Sequence, residues 1–209
     1  MYRYETLDRY LNDVSLNTST PGGGSVSALV GALSTSMVSM SANFTLGGGK
    51  FKDVEPQIRE ILEKCRNDRE ELLRLMEEDI EAYKGVDRAY ALSKSNEEEK
   101  KQRTSAIQSA LEKATDVPLR IARCSLGLLE YTSGLVKIAN PNLVTDVGVA
   151  GLLANAALKG AMLNVETNLN CIQSKEVVNT VKEEIEKTLM RAEKLIDDIM
   201  KKVKDIMNK

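Results

Sequence analysis

The chain has 209 residues, 42% of them apolar and 29% charged, with a formal net charge of −2. That is enough chain to bury a core without disulfides or metals, and too little positive charge for a protein that neutralises nucleic-acid phosphates. Histidine is absent, which removes Ser-His and Cys-His triads, imidazole-ligated zinc and imidazole acid–base chemistry.

Proton transfer is therefore left to carboxylates, lysines, tyrosines, backbone groups or water. Cys65, Cys124 and Cys171 are odd in number, far apart and without metal spacing, so a reduced, cytoplasmic protein with no metal centre is expected. The first residues, Met1 to Glu5, are charged and carry no apolar signal segment. Aromatics make up 4% of the chain and Trp is missing; the apolar content is Leu, Ile, Val, Met and Ala, which favours helix packing. The expectation is a single all-α domain over 1–209, a multi-helix bundle. Its four prolines, at 21, 56, 118 and 141, mark the starts of helices.

In chain order, a first helix is expected over 6–13, followed by the loop Asn17 to Gly24. A second, over 25–46, has no charged residue. Its length raises the question of a membrane span. Hydroxyls lie all round it and no cationic flank precedes it, so a helix buried among other helices, and no membrane, is expected. The third, over 54–86, repeats apolar residues at Ile58, Ile61, Cys65, Leu72, Met76, Ile80 and Tyr83. Two further helices are expected over 97–114 and 117–138, with Pro118 at their junction or in the first turn of the second. Another nearly uncharged helix runs from about 140 to 170, either central or at a subunit interface. The last, over 175–207, is amphipathic, with a stripe from Val178 to Ile206 that suits packing within the subunit or a coiled-coil-like seam.

Five places carry possible chemistry. Gly22, Gly23 and Gly24 stand between a proline and an uncharged helix, so their backbone N–H groups suit an anion or a ring carbonyl; a plain flexible connection is the alternative. Asp79 lies on the apolar stripe with Leu72, Met76 and Tyr83, whereas Glu77, Glu78 and Glu81 point elsewhere. A carboxylate facing a core is costly unless paired or neutral, and partial burial raises its pKa towards general acid–base use; a buried ion pair is the alternative. Asp146 is the one acid between Glu130 and Glu166 and sits early in its helix, where the dipole favours it with or without a role in binding. Asn164 and Asn168 share a face one turn apart and suit a heterocycle's donor and acceptor pattern, or a neighbouring helix. Lys50 follows Gly47-Gly48-Gly49 and offers a cation to a carboxylate tail, or merely to water.

Ordered blocks join these places: Thr20-Pro21-Gly22-Gly23-Gly24-Ser25-Val26-Ser27-Ala28, Thr45-Leu46-Gly47 with Lys50, Asp79-Ile80-Glu81-Ala82-Tyr83, Val117-Pro118-Leu119, Thr145-Asp146-Val147-Gly148-Val149-Ala150 and Asn164-Val165-Glu166-Thr167-Asn168-Leu169. In this order they resemble the formimidoyltetrahydrofolate cyclodeaminase / methenyltetrahydrofolate cyclohydrolase family. The resemblance implies an all-α homodimer that binds a tetrahydrofolate substrate in a cleft near the dimer interface. It implies conversion of 5-formimidoyltetrahydrofolate to 5,10-methenyltetrahydrofolate with loss of ammonia, or hydrolysis of methenyltetrahydrofolate, without a separate cofactor. Asp79 would be the catalytic proton shuttle. Gly22, Gly23, Gly24, Ser25, Lys50, Asp146, Asn164 and Asn168 would bind substrate. The formiminotransferase domain of the fused family members is not among these residues, so the second activity alone is expected. The family's lysine-rich stretch is here Gly48-Gly49-Lys50, which weakens the expectation of tight polyglutamate binding. A non-catalytic helical dimer that binds a ligand or partner is the reading from another class.

Overall fold

A segment with no charge has no side of its own that prefers water, so it folds stably only when other helices cover it. The computed structural model, which describes residues 1–47 and 49–208, builds the chain on that rule. Its long helices are α1 (Leu7–Val14), α2 (Gly23–Asn43), α3 (Glu55–Tyr90), α4 (Glu97–Leu135), α5 (Val144–Leu169) and α6 (Lys175–Met207), and short 3-10 turns span Tyr2–Tyr4, Gly49–Val54 and Pro141–Leu143. Among the described residues there is no strand. The all-α expectation holds.

The uncharged α2 and the nearly uncharged α5 form the centre. They run antiparallel: Gly23 meets Asn164, Gly31 meets Ala157, and Ser34 donates from its hydroxyl to the Ala150 carbonyl across 2.8 Å. Small residues make the approach close. A methyl group on Gly31 would lie 3.2 Å from the Leu72 methyls of α3. Several of the hydroxyls that make α2 look polar are turned back on the backbone of the preceding turn, as in Thr35 to Ala32 O, Ser39 to Thr35 O and, just past the helix, Thr45 to Ser41 O, which satisfies those three without water. Both helices are long and apolar enough to cross a membrane by length and composition, and half or more of each window is covered within the bundle (56% and 50%).

Around this pair, α3 packs on α2 and α4, while α4 packs on α5. The stripe of α6, including Ile185, Ala192, Ile196, Ile199 and Val203, is buried in the same subunit: Gly151 of α5 sits against Ile196 and Ile199, and Gly148 against Val203. Of the two roles open to α6, the structure assigns packing within the subunit. Helix starts follow capping chemistry. Asn96 accepts from the Glu99 N–H at 2.9 Å while Glu99 accepts from Ser95 N–H at 2.9 Å, a reciprocal cap in front of three acids that suit the dipole.

One boundary is corrected. The two helices expected over 97–114 and 117–138 are a single helix, α4, with Pro118 inside it. Proline lacks the N–H that would bond the Ala114 carbonyl four residues back, and the Asn168 side chain of α5 donates to that carbonyl instead, at 2.8 Å. The other three prolines lie where helices start: Pro21 just before α2, Pro56 in the first turn of α3, and Pro141 in the turn that leads into α5.

Candidate active site

The site lies where the N-terminus of α2 meets the middle of α3 and the C-terminal half of α5. Gly22 caps α2 in an extended conformation, and Gly23 and Gly24 form its first turn. The first N–H groups of any helix lack intrahelical acceptors. Here the Ser25 N–H is taken by Asp79 Oδ2 at 2.9 Å, while Gly23 and Gly24 have no acceptor among the described residues. The second glycine is demanded by sterics: a methyl group on Gly24 would sit 2.1 Å from Asp79 Oδ1 and 2.6 Å from its Cγ. On the other side, a methyl group on Gly23 would lie 3.2 Å from Asn164 Nδ2. The glycine turn is thus held between the carboxylate of α3 and the amide of α5.

A cavity of about 190 Å³ opens there, lined by Ser19, Thr20, Gly22, Gly23, Asp79, Tyr83, Ala114, Asn164, Thr167 and Asn168. Asp79 is its one ionised wall. Burial pushes its carboxyl up to about 6, against the single opposing influence of the Ser25 N–H. Among the described residues no cation is paired with it, so the ion-pair alternative is set aside. A larger open depression, about 770 Å³, lies between the N-terminal segment and α3, but charged side chains such as Arg9, Asp13, Arg74, Glu78 and Lys84 line it, and exposed pairs of that kind organise little chemistry.

The expected site residues divide. Gly22, Gly23, Asp79, Asn164 and Asn168 line the cavity together, and Gly24 makes room for the carboxylate behind it. Asn164 donates to Gly160 O at 2.8 Å, which turns its amide donor back on α5. Asn168 lines the cavity too, but its donor is committed to Ala114 O. Ser25 departs from expectation: it is fully buried, lies outside the cavity wall, and its hydroxyl pairs with Tyr10 at 3.0 Å. Its contribution is the backbone N–H on Asp79. Lys50 and Asp146 are not brought to the cavity in this chain. Asp146 lies 18 positions before Asn164 on one helix, about 27 Å at 1.5 Å per residue, and Lys50 follows the opposite end of α2. As substrate ligands, both would have to serve the cavity of another copy. Gly48 lies outside the described residues.

Tyr83, Thr167, Ser19 and Thr20 are cavity residues that sequence reasoning left out of the site. Tyr83 and Thr167 had a signal, since they stand four and three positions from Asp79 and Asn164 and so share their faces. Ala114 had none, because its place depends on α4 continuing through Pro118.

Residues 6–187 match the formiminotransferase-cyclodeaminase family. The chain is a member of that family. A methenyltetrahydrofolate cyclohydrolase from Methylorubrum extorquens is 35% identical over 204 residues, 98% of each chain. A formimidoyltransferase-cyclodeaminase from Rattus norvegicus is 30% identical over 164 residues, 78% of this chain; this family member spans about 30% of that longer protein. The crystal structure of a formiminotetrahydrofolate cyclodeaminase from Thermotoga maritima superposes with a TM-score of 0.90 at 30% identity, covering 99% of this chain and 100% of that one.

Proposed function

We propose that this protein is a formimidoyltetrahydrofolate cyclodeaminase, with the cavity beside the glycine turn as its active site. Folate one-carbon chemistry of the cyclodeaminase/cyclohydrolase kind follows from the family. The observation that supports proton-transfer catalysis is the Asp79 carboxyl, unpaired by any cation among the described residues, raised to about 6 and facing a cavity. A group with that pKa exchanges protons readily in both directions near neutrality.

The reaction needs such a group twice. N10 of the folate attacks the carbon of the protonated formimidoyl group on N5, which becomes an amine on that carbon as a five-membered ring closes. The N10 proton passes to the Asp79 carboxylate. The same carboxyl then protonates the amine on the former formimidoyl carbon; the carbon–nitrogen bond breaks, ammonia leaves, and the methenyl bridge carries the positive charge. Protons balance with one acid–base residue, as a chain without histidine requires. Most of the acceleration is positional, because attacking nitrogen and carbon belong to one molecule and need only be held in line. The N–H of Gly23 and the amide of Asn164, both from residues that line the cavity, would hold the polar edge of the ring.

Cyclohydrolase is the second reading, favoured by the full-length likeness to the Methylorubrum extorquens protein. There, water attacks the methenyl carbon and Asp79 takes its proton; the carboxyl returns it to one bridging nitrogen as that carbon–nitrogen bond breaks, and the remaining hydroxyl proton goes to solvent as the formyl group forms. One experiment separates the two. Purified protein is mixed with 5-formimidoyltetrahydrofolate, and ammonia and methenyl absorbance are followed; then methenyltetrahydrofolate alone is supplied and its absorbance loss is timed. Ammonia release above the spontaneous rate supports cyclodeaminase. Accelerated loss of methenyl absorbance without it supports cyclohydrolase. Neither activity, with no folate protection against thermal unfolding, leaves a non-catalytic binding protein.

We propose further that the protein works as a homodimer in the cytoplasm. Both central helices keep one apolar side uncovered, with Leu33 51% exposed on α2 and Leu152 and Leu163 49% and 65% exposed on α5. A second copy laid on that side would bury surface that α2, which has no charged residue, cannot make polar. Three free thiols, at Cys65, Cys124 and Cys171, suit a reducing compartment.

A further inference from the structure

Helix α1 has eight residues and buries one of them, Tyr10, which is 3% exposed. Its other large apolar side chains, Leu7 and Leu11, face outward at 65% and 55%. The segment is fastened by few bonds. The Tyr2 ring meets Tyr10 edge-on at 5.2 Å, the Tyr2 hydroxyl donates to Asp13 at 2.8 Å, the Arg3 N–H donates to Glu77 at 2.9 Å, and the Arg3 guanidinium pairs with Glu70. A helix this short gains little by itself, so nearly all its apolar burial is the one tyrosine.

That tyrosine ends at the site. Its hydroxyl lies 3.0 Å from Ser25 Oγ, and the N–H of the same Ser25 holds Asp79 Oδ2 at 2.9 Å. Ser25 is fully buried, and Asp79 is near enough for its charge to act on the Tyr10 phenol. On one side of the carboxylate is the cavity; on the other stand Ser25 and Tyr10, and beyond them the open depression lined by Tyr2 and Glu77.

We infer that Tyr10 is a positioning residue for Asp79: α1 straps one aromatic side chain against the first turn of α2, fixing the Ser25 N–H on the carboxylate and keeping water from its inner side. The inference rests on Asp79 being the proton-transfer group of the proposed function. Its physical content is the dry wall. Burial is the first cause of the raised Asp79 carboxyl, and a path for water from the N-terminal side would remove part of it. The ionisable groups around the carboxyl are few. Tyr10 comes from α1 and Tyr83 from its own helix, while Glu77 acts on the outer side through Tyr10. Helix α2 offers none, α5 presents Asn164 and Asn168, and α4 presents Ala114.

The test uses the full chain with carboxyl-13C aspartate. The Asp79 resonance is identified by its loss in Asp79→Asn, and its midpoint is titrated in the wild type, Tyr10→Phe and Tyr10→Ala. Tyr10→Ala is expected to lower the midpoint from about 6 by about one pH unit or more as water enters. Tyr10→Phe, which keeps the ring, should hold it within about 0.3 unit. The acidic limb of kcat/KM should move with it. A purely structural tyrosine would lower Tm and leave the midpoint in place, and that result would overturn the inference, as would a fall in Tyr10→Phe equal to that in Tyr10→Ala. Should Tyr10→Ala lose its helical circular dichroism, Tyr2→Ala loosens the strap from outside; a smaller fall in the same direction supports the inference and an unmoved midpoint overturns it. Because the titration needs no turnover, a protein inactive on both folates would sink the proposed function, while an unmoved midpoint in an active protein would sink the role of Tyr10 alone.

Discussion

Asn168 donates its side-chain amide to the Ala114 carbonyl across 2.8 Å, and Ala114 is the residue whose carbonyl Pro118, four places on, leaves without a donor. A proline in mid-helix removes one hydrogen bond and crowds the carbonyl behind it. The helix continues because α5 supplies the missing donor. Ala114 and Asn168 both line the cavity, so the repair also fixes one wall of the site.

Asn168→Ala is therefore expected to cost about 1–3 kcal/mol, the penalty of a buried carbonyl left unpaired. In a Pro118→Ala background, where the backbone N–H returns, the same change should cost less than about 0.5 kcal/mol. Urea unfolding of the four proteins gives the coupling energy, expected at about 1 kcal/mol or more. A coupling near zero would mean that the amide and the proline are unrelated.

Gly24→Ala reverses a familiar sign. In an exposed helix the change gains about 0.5–1 kcal/mol. Here the new methyl group would fall 2.1 Å from Asp79 Oδ1 and must push the carboxylate off the Ser25 N–H. A loss of about 1–3 kcal/mol is expected, with turnover reduced far more than Tm. Thermal unfolding and kcat measured on one preparation check both parts.

Asp79→Asn separates stability from activity. The carboxyl is raised from 3.8 to about 6, so between those values the folded protein binds more protons than the unfolded one, and wild-type stability falls as pH rises through that window. The full penalty is present above about pH 6 and absent below about pH 4. The asparagine variant carries none of it. It should be the more stable protein at pH 8, by up to about 3 kcal/mol, with the advantage gone at pH 4 and turnover lost at both. Unfolding curves at the two pH values decide it; equal curves at pH 8 would return Asp79 to an ordinary solvated carboxylate.

Leu163→Glu combined with Leu33→Glu places charge on the uncovered apolar side of α5 and α2. Sedimentation velocity should show a wild-type dimer and a variant monomer with unchanged helical content. A wild-type monomer at micromolar concentration would remove the proposed interface.

Much of this molecule could be read from the chain alone. Helical periodicity put Ile58, Ile61, Cys65, Leu72, Met76, Ile80 and Tyr83 on one face and Asp79 among them; Ile58, Cys65, Leu72, Met76 and Ile80 are buried, Ile61 is half-buried and Tyr83 is exposed beside the cavity. The absence of charge in α2 and its scarcity in α5 marked them as central, and the α6 stripe was legible residue by residue, because periodicity and charge are local properties that survive in a one-dimensional string. What stayed hidden depends on partners far apart in sequence. Pro118 reads as a break until Asn168 is beside Ala114. Ser25 reads as a ligand until Tyr10 takes its hydroxyl. Lys50 and Asp146 read as site residues until the antiparallel pairing of α2 and α5 sends them to the far end. Helix packing alone decides these three, since a hydrogen bond or an end-to-end separation between elements is fixed by how the helices cross and not by what either helix contains.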